Sequence, residues 1–458
     1  MTIETALAGL SALLGDRLSR SKSDLAAHGG SEAHFAQAPP NAVAWPETTE
    51  EVAAIAAICN DHACPLIAYG AGTSLEGHTS AIRGGVCLDF SRMDRVIRVS
   101  PGDMLAVVQP GLSREALNRE LRATGLFFPV DPGANAALGG MAATRASGTT
   151  AVRYGTMRDN VLALEVVLAD GRIIRTGTRA RKSSAGYDLT ALMLGSEGTL
   201  GIMTELTLKL QGQPEAITAG TCAFGSIGDA VGAVTAVMQA GVPMARIEFL
   251  DESSIAAVNA YAGTGLPERP HLFIEFHGSN AAVAEQAETF AGIAADFGAS
   301  GIETATRTED RTALWAARHH AYWACLGLRP GATALITDIC VPISALAQAV
   351  EETRADIEAA TIPGPILGHV GDGNFHAILL VDPGRPEDLA EARRLAARMA
   401  ERALALGGTV TGEHGIGMGK LDYMTTEHGE GWAVMGAIKR ALDPNGILNP
   451  GKMVPPRA

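Results

Sequence analysis

Glycine-rich segments in the first half of the chain constrain its fold more than any other feature. The first of them follows Pro65–Tyr69, a short apolar run that predicts a buried strand. It consists of Tyr69, Gly70, Ala71, Gly72, Thr73, Ser74, Leu75, Glu76, Gly77, His78 and Thr79. Glycines at such a point let bare backbone N–H groups approach a phosphate, although a strand-ending turn explains this loop alone equally well. Its spacing is not Gly-x-Gly-x-x-Gly leading into a helix, which disfavours a nicotinamide-binding Rossmann fold.

Further segments of the same character lie in this half of the chain. They are Pro132-Gly133, Leu138-Gly139-Gly140-Met141-Ala142-Ala143, Ser147-Gly148, Tyr154-Gly155 and Gly195-Ser196-Glu197-Gly198-Thr199-Leu200-Gly201-Ile202. Ordinary loop chemistry explains any one of these segments, but it explains the whole set poorly. Small residues at this density allow close backbone approach to a large flat ligand.

The composition limits the possible classes of function. The 458 residues are 47% hydrophobic and 19% charged, which is typical of a globular protein with large cores. The net charge of −14 without a basic cluster argues against nucleic-acid binding. The six scattered cysteines predict reduced, buried thiols in a cytoplasmic protein. The N-terminal segment resembles an amphipathic helix, not a signal peptide, and no stretch approaches the roughly 20 apolar residues of a membrane span.

The order of predicted elements indicates an α+β fold. Short strands alternate with helices up to Gln211-Gly212-Gln213-Pro214, a polar stretch that breaks both periodicities and predicts a domain boundary. Beyond it, strands with many antiparallel returns are separated by long alanine-rich helices. We therefore predict domains at residues 1–212 and 213–425, with a C-terminal segment at residues 426–458. The helices predicted in the second half include Arg311–Leu326 and Pro386–Ala405, and Leu335–Val341 is a predicted strand.

The segment from Gly368 to His376 carries two histidines around a predicted turn. Asp372-Gly373 favours a two-residue hairpin, which would place His369 opposite His376. Directly opposed residues have Cβ atoms about 4.5–5.5 Å apart, so both imidazoles can ligate one ion. The alternative interpretation is a pair of hydrogen-bonded core histidines.

A second cluster, Gly412-Glu413-His414-Gly415-Ile416-Gly417, favours the metal interpretation. Adjacent residues of an extended chain point in opposite directions. Glu413 can therefore complete a site of two histidines and one carboxylate, while His414 faces elsewhere. The ligand types do not choose the metal.

These motifs together, from about Pro39 to Ile447-Leu448-Asn449-Pro450-Gly451-Lys452, resemble the vanillyl-alcohol oxidase / p-cresol methylhydroxylase flavoprotein superfamily. The chain is most similar to the branch of FAD-linked D-lactate dehydrogenases, glycolate oxidase subunits and D-2-hydroxyglutarate dehydrogenases. The resemblance implies an FAD-binding domain of two α+β subdomains. It also implies an α+β cap domain with an antiparallel sheet, and a C-terminal segment that returns to the FAD domain. It further implies that FAD is bound non-covalently, with His78 structural or near the flavin. The residues implied in FAD binding are Tyr69, Gly70, Ala71, Gly72, Thr73, Ser74, Leu75, Gly77, His78, Pro132, Gly133, Gly139, Gly140, Ala143, Ser147, Gly148, Tyr154, Gly155, Glu197, Gly198, Gly201, Ile202 and Asn449.

The resemblance also implies residue roles. His369, His376 and Glu413 would bind Zn²⁺ or Mn²⁺, and His414 would take the substrate hydroxyl proton while the C2 hydride goes to flavin N5. Asn374 would help to hold the substrate. Arg318 would bind its carboxylate, with Tyr322 on the same helix face at i, i+4 spacing. Without the resemblance, a solvated helix arginine would be the expected interpretation of Arg318.

The predicted activity is oxidation of a small D-2-hydroxy acid to the 2-oxo acid. D-Lactate is favoured because Leu335-Ile336-Thr337-Asp338 lacks the lysine expected near a distal carboxylate in the hydroxyglutarate enzymes. Glycolate or D-2-hydroxyglutarate is the alternative substrate. A metal-dependent hydrolase and a flavin-carrying subunit without turnover are alternatives of other classes. The electron acceptor stays open between quinone, cytochrome, electron-transfer flavoprotein and oxygen, and the family suggests a homodimer.

Overall fold

The computed structural model describes residues 2–31 and 33–455, which form two compact units. The first unit comprises residues 1–147, 155–213 and 413–458, and the second comprises residues 148–154 and 214–412. The break after Gln213 lies within the polar stretch at residues 211–214. The chain rejoins the first unit at Glu413, which is earlier than residue 426, the predicted start of the C-terminal segment. The reason is that Met418 already donates its backbone N–H to the Glu76 carbonyl oxygen at 2.8 Å.

The strands alternate with helices along the chain. The strands are β1 Leu18–Ser19, β2 Ala42–Ala44, β3 Leu66–Tyr69, β4 Val86–Asp89, β5 Val96–Ser100, β6 Leu105–Val108, β7 Leu126–Phe127, β8 Val161–Val167, β9 Ile173–Gly177, β10 Ile202–Lys209, β11 Gln211–Gly212, β12 Ala216–Ala223, β13 Met244–Leu250, β14 His271–Gly278, β15 Ser300–Ala305, β16 Thr333–Ile336, β17 Ile339–Cys340, β18 Ile366–Gly368 and β19 Asn374–Val381. The helices are α1 Ile3–Leu14, α2 Lys22–Ala27, α3 Thr49–Asp61, α4 Arg114–Leu121, α5 Leu138–Thr144, α6 Ala151–Tyr154, α7 Met157–Asn160, α8 Leu189–Met193, α9 Ile227–Gln239, α10 Glu252–Ala262, α11 Asn280–Asp296, α12 Thr308–His319, α13 Ala321–Leu326, α14 Leu346–Glu358, α15 Pro386–Ala405, α16 Met424–His428 and α17 Glu430–Leu442.

The first unit contains two α+β subdomains. One has a four-stranded sheet in the order β1-β2-β4-β3, with β2 and β3 parallel to β4. Its core packs α1 and α3 against this sheet, and Thr48 caps α3 by accepting the Glu51 N–H. The other has a five-stranded antiparallel sheet in the order β5-β6-β10-β8-β9. Gly171, with φ of +84°, lies in the turn between the antiparallel strands β8 and β9.

The second unit is built on an eight-stranded antiparallel sheet. Along the central strand β14, Ile274 and Phe276 contribute to one core with α9, α11, α14 and α15. Phe273 points the other way and contributes to a second core with α10, α12 and α13. This alternation lets both faces of the sheet bury apolar side chains. The predicted α+β class, with two subdomains and a further antiparallel α+β domain, is confirmed.

Two predicted elements of the second unit are interrupted. The helix predicted over Arg311–Leu326 is divided into α12 and α13 at His320. The strand predicted over Leu335–Val341 is divided into β16 and β17, both paired with β19. Between them, the Thr337 hydroxyl accepts the Ala377 N–H at 2.8 Å. A side-chain acceptor thus replaces a backbone bond of the sheet, which a sequence pattern does not show.

A buried ion pair supports the strand that leads into the first glycine-rich loop. His28 Nε2 lies 2.8 Å from Asp89 Oδ2, and its ring packs on Tyr69 with centroids 4.6 Å apart. The hydrogen bond to Asp89 raises the pKa of His28 above its usual 6.5. Burial alone would raise the pKa of Asp89, but hydrogen bonds from His28 and Ser91 lower it overall.

We expect His28→Gln to lower the midpoint of thermal unfolding most between pH 3.8 and 6.5. A raised histidine pKa stabilises the fold below 6.5, and this contribution is lost as the pH rises through the pKa of the folded protein. The lowered pKa of Asp89 contributes above 3.8, and this contribution is lost as the pH falls through its folded value. Hydrogen bonds to charged groups contribute about 1.5–3 kcal/mol. Calorimetry at about pH 5.5 and about pH 8.5 tests this, and an equal loss at both values would contradict it.

Candidate functional site

The loop after β3 depends on glycines at two positions. Gly72 and Gly77 have φ values of +70° and +74°. A Cβ atom on Gly72 would lie 2.2 Å from the Tyr69 hydroxyl oxygen, and one on Gly77 would lie 2.7 Å from Met418 Cε. Side chains at these two positions would therefore collide with their neighbours. The loop is shaped by the absence of side chains, as its sequence predicts.

Glu197 connects the glycine-rich loop at residues 195–202, the second loop of the site, to the last segment of the chain. The N–H groups of Gly195 and Glu197 donate to the carbonyl oxygens of Ala142 and Ala143, both at 2.9 Å. The buried Glu197 carboxylate accepts the N–H groups of Ile416 at 2.7 Å and Gly417 at 2.9 Å. Burial raises the pKa of Glu197, but the neighbouring His78 and the two N–H groups lower it overall. Glu197 thus has a structural role in addition to its predicted contact with FAD.

The C-terminal segment joins both loops. Asn449 Nδ2 donates to the carbonyl oxygens of His78 at 3.1 Å and Glu197 at 2.8 Å. Lys452 Nζ donates to the carbonyl oxygens of His78 at 2.8 Å and Ser80 at 2.6 Å. Burial lowers the pKa of Lys452 to about 7, although Glu197 opposes this. Lys452 was given no role from the sequence, although it lies in the C-terminal motif Asn449-Pro450-Gly451-Lys452.

Several buried polar atoms beside these loops have no hydrogen-bond partner among the described residues. They are Ser74 Oγ, Thr79 Oγ1, Ser196 Oγ and both ring nitrogens of His78. His78 Nε2 does lie 3.3 Å from Glu197 Oε2, but without hydrogen-bond alignment. A Cβ atom on Gly133 or Gly140 would meet open space, with no heavy atom of the described chain within 4 Å. Buried polar atoms without partners, and glycines that leave open space, both fit a bound polar ligand in the first unit.

Tyr154 and Gly148 belong to the second unit, although they were predicted within the first domain. The Tyr154 hydroxyl lies 2.7 Å from His277 Nδ1, and His277 Nε2 lies 2.7 Å from Glu275 Oε1. Trp315 Nε1 donates to the other oxygen of Glu275 at 2.5 Å. The sequence analysis did not identify this buried chain of hydrogen bonds. Contact of Tyr154 and Gly148 with FAD stays a prediction.

The predicted two-residue hairpin between the two histidines is wrong. A 3₁₀ turn, Val370–Asp372, follows β18, and the register pairs His376 with Leu367 instead of His369. A Cβ atom on Gly371 would lie within 2.7 Å of Ile247 and Val152 side-chain atoms, so the turn packs tightly against them. The imidazoles nevertheless lie near each other, with ring centroids 5.7 Å apart and planes at 84°.

Both imidazoles have a hydrogen-bond acceptor at Nδ1. His369 Nδ1 donates to Glu248 Oε1 at 2.8 Å, and His376 Nδ1 donates to the Thr337 carbonyl oxygen at 2.9 Å. An oxygen acceptor at Nδ1 fixes the proton there and leaves the ring lone pair on Nε2. Histidines that bind metals are oriented in the same way. His369 and His376 are therefore oriented in a way that fits their predicted role as ligands of a divalent cation.

Arg318 is buried, so the solvated-arginine alternative is wrong. Only 7% of the residue is exposed, and its Nη2 donates to Glu248 Oε2 at 2.6 Å. Its Nε has no hydrogen-bond partner among the described residues. Burial raises the pKa of Glu248, but the charges of His369 and Arg318 lower it overall. Tyr322 lies on α13 beyond the break at His320, so the uninterrupted helical spacing assumed for Arg318 and Tyr322 is wrong.

Asn374 is held firmly by its amide nitrogen. Nδ2 donates to Asp338 Oδ1 and to the Ile339 carbonyl oxygen, both at 2.8 Å. Both amide hydrogens are used in these bonds, so any contact with a substrate would come from Oδ1 as an acceptor. The other Asp338 oxygen accepts the Thr411 hydroxyl at 2.7 Å. Asp338, fully buried, is a further site residue that the sequence analysis did not assign.

Glu413 and His414 begin the last stretch of the first unit. His414 Nδ1 lies 3.8 Å from Glu76 Oε1, and Lys420 Nζ lies 3.6 Å from the same oxygen. Glu413 directly follows Gly412 of the second unit, where a Cβ atom would lie 2.3 Å from Asn374 Nδ2. The metal and base roles of Glu413 and His414 stay predictions.

Two family descriptions match most of the chain. Residues 213–453 match the family of FAD linked oxidases, C-terminal domain. Residues 40–177 match the FAD binding domain family. The chain belongs to the FAD-linked oxidases.

This FAD-linked oxidase is similar to curated proteins over most of its length. It is 49% identical to the probable mitochondrial D-lactate dehydrogenase of Danio rerio, over 93% of this chain and 87% of the relative. It is 44% identical to the mitochondrial D-lactate dehydrogenase (cytochrome) of Arabidopsis thaliana, over 98% of this chain and 79% of the relative. It is also 37% identical to glycolate oxidase subunit GlcD of Bacillus subtilis, over 91% and 89%. The protein is therefore an FAD-dependent oxidoreductase.

Solved structures share the fold. The 4-ethylphenol oxidase of Gulosibacter chungangensis superposes with a TM-score of 0.81 at 20% identity, over 99% of this chain and 97% of that chain. p-Cresol methylhydroxylase superposes with a TM-score of 0.78 at 18% identity, over 98% and 96%. These matches confirm the predicted p-cresol methylhydroxylase type of FAD-binding domain. Within the described residues, no helix combines the length and apolar composition that crossing a lipid bilayer requires.

The unpartnered polar atoms and open glycines of the first unit fit FAD, and we expect Gly140→Leu to prevent its binding. Gly140 lies within α5, where a leucine side chain would extend into open space. Leucine in place of glycine also favours a helix by about 1 kcal/mol, so the protein should still fold. The FAD-to-protein ratio after purification measures the effect, and we expect it to fall about tenfold or more relative to the wild type.

Gly292→Leu is the matched control, because Gly292 is also helical and faces open space. It should retain the wild-type FAD content. Full FAD content in Gly140→Leu would show that the cofactor does not approach this residue.

Proposed function

We propose that this protein oxidises a small D-2-hydroxy acid, with D-lactate as the first candidate, to the 2-oxo acid. One observation carries the proposal: Glu248 holds both Arg318 and His369 inside the second unit. A buried guanidinium with an unpartnered Nε is suited to binding a carboxylate. An imidazole beside it is suited to binding a cation that contacts the neighbouring hydroxyl. The names of the relatives support the same substrate class.

The residues of this chain divide the chemistry among them. Bound FAD supplies the hydride acceptor. Arg318 orients the substrate by its carboxylate, so that C2 is presented in one direction. His414 takes the hydroxyl proton, a role suited to an imidazole whose ordinary pKa is near ~6.5.

We further propose that His369, His376 and Glu413 bind a divalent cation, Zn²⁺ or Mn²⁺. Such a cation would lower the pKa of the substrate hydroxyl. Support comes from the Nδ1 acceptors of both histidines, which orient Nε2 as a ligand atom. Glu413 is the proposed third ligand because it directly follows Gly412, whose backbone packs against Asn374.

D-Lactate is preferred over a longer dicarboxylic substrate. Residues 333–341 carry no basic side chain, and their one ionisable carboxylate, Asp338, is fully buried. A second substrate carboxylate would find no partner in this segment. Glycolate is the alternative, supported by the similarity to glycolate oxidase subunits.

We also make a proposal for the electron acceptor and for the cellular compartment of the protein. We favour a cytochrome as acceptor, ahead of a quinone or an electron-transfer flavoprotein, because the names of several relatives specify a cytochrome. We propose a reducing, cytoplasmic location on the basis of the six free cysteines. The relatives with that acceptor are named as mitochondrial, so fractionation of the native cell is the test.

We expect anaerobic D-lactate to bleach the visible flavin absorbance of the purified protein, and L-lactate to leave it unchanged. Removing the cation with a chelator should slow the bleaching, and adding Mn²⁺ or Zn²⁺ should restore it. A yellow protein inert to all 2-hydroxy acids would indicate a flavin-carrying subunit without turnover. A colourless, metal-loaded protein would favour the hydrolase. If chelation left the rate unchanged, the metal assignment would be wrong.

We expect Arg318→Lys to raise KM for D-lactate about 10–100-fold, with unchanged FAD content, because lysine keeps the charge beside Glu248 but loses Nε and the planar fork. Arg329→Lys is the matched control, since Arg329 pairs with Asp388 at 2.6 Å in the same unit. Steady-state kinetics measure the effect. Equal KM values for the two variants would remove Arg318 from the substrate site.

A further inference from the structure

Glu248 is a charged residue inside an apolar strand, and neither the sequence analysis nor the family resemblance gives it a role. Only 1% of the residue is exposed. Each of its two carboxylate oxygens contacts a different functional residue, Oε1 with His369 and Oε2 with Arg318. Burying a carboxylate is costly unless it is well hydrogen-bonded, so its position here requires an explanation.

The sheet brings three separate elements together at this carboxylate. Strand β13 pairs with β18 through Phe249 and Gly368, which places His369, the next residue, beside Glu248. Helix α12 carries Arg318 to the other oxygen. Both side chains are thereby held by the same acceptor, His369 through Nδ1 and Arg318 through Nη2. The two distances, 2.8 Å and 2.6 Å, leave little freedom for either group to move independently.

The two contacts have different consequences. An acceptor at His369 Nδ1 keeps Nε2 as the ligand atom and fixes the ring plane, which increases affinity for a cation. The bond to Arg318 Nη2 fixes the guanidinium while Nε has no partner among the described residues. Displacement of the carboxylate would therefore disturb cation binding and carboxylate binding together.

We propose that Glu248 is a positioning residue that couples the affinity for a divalent cation to the binding of the substrate carboxylate. This inference rests on the proposed function. It assigns to Glu248 no contact with substrate or cofactor. One conservative change at Glu248 should therefore alter both the cation site and the carboxylate-binding site, although the residues of those sites are unchanged.

The test is Glu248→Gln in the purified FAD-loaded protein, with Mn²⁺ as the probe. Glutamine keeps the shape, but only its oxygen can accept, so one of the two donors must lose its partner. Electron paramagnetic resonance of unbound Mn²⁺ gives the dissociation constant without any turnover. We expect it to rise about 10–100-fold, as for other residues that orient metal-binding histidines. KM for D-lactate should rise as well, while the FAD-to-protein ratio stays at the wild-type value.

Glu275→Gln is the matched control. Glu275 is a buried glutamate on the adjacent strand, and its carboxylate contacts His277 and Trp315 instead of His369 and Arg318. It should keep the wild-type affinity for Mn²⁺. If the Glu248→Gln protein cannot be purified with bound FAD, Glu248→Asp is tested in its place. Aspartate keeps the charge but is too short to reach both partners, so Mn²⁺ binding should again weaken.

The outcomes separate this inference from the proposed function. Wild-type protein that binds Mn²⁺ and oxidises D-lactate, with a Glu248→Gln variant of equal Mn²⁺ affinity, overturns the coupling alone. Equal weakening in Glu248→Gln and Glu275→Gln also overturns it, because the effect would then follow from any buried charge. Wild-type protein that binds no Mn²⁺ overturns the metal assignment and this inference together.

Discussion

The glycine-rich loops of the first unit depend on hydrogen bonds from side chains elsewhere in the chain. Glycines have no side chain to bury, so packing holds a glycine-rich loop less firmly than other loops. Glu197, Asn449 and Lys452 provide the missing contacts by bonding to backbone groups of residues 78, 80, 197, 416 and 417. These hydrogen bonds fix the position of the loop backbone without requiring bulky side chains in the loops themselves.

Local sequence patterns predicted the elements that local physics controls. Helix Pro386–Ala405 has the predicted bounds, since an alanine-rich helical pattern and a first-turn proline determine them. The interruption at Thr337 and the turn after His369 were not predictable in this way. Both are set by tertiary contacts, with Ala377 in one case and with Val152 and Ile247 in the other.

The candidate site was predictable where residue types are diagnostic, and less so where their partners lie far away in sequence. His369, His376 and Arg318 stand out because histidines beside glycines and an arginine in a family motif suggest chemistry. Their shared partner Glu248 lies on a strand remote in sequence, and only the sheet register brings it near. An available signal was Glu248 itself, which with Arg246 is one of two charged residues in the otherwise apolar run Ala245–Leu250. Alternation places it on one face of the strand, opposite Ile247 and Phe249.

Each of the two units contains buried carboxylates with the same kind of hydrogen bonding. Glu197, Glu248 and Glu275 are each buried, and each accepts hydrogen bonds from two separate groups. The cost of removing a carboxylate from water offsets most of what these bonds contribute to stability. Their main effect is therefore geometric: two donors must converge on one rigid group, and at Glu248 the two donors come from different elements. Removing the carboxylate leaves both donors buried without an acceptor, which costs about 1–3 kcal/mol for each. Such positions tolerate single substitutions poorly for this reason, even where the residue takes no part in chemistry.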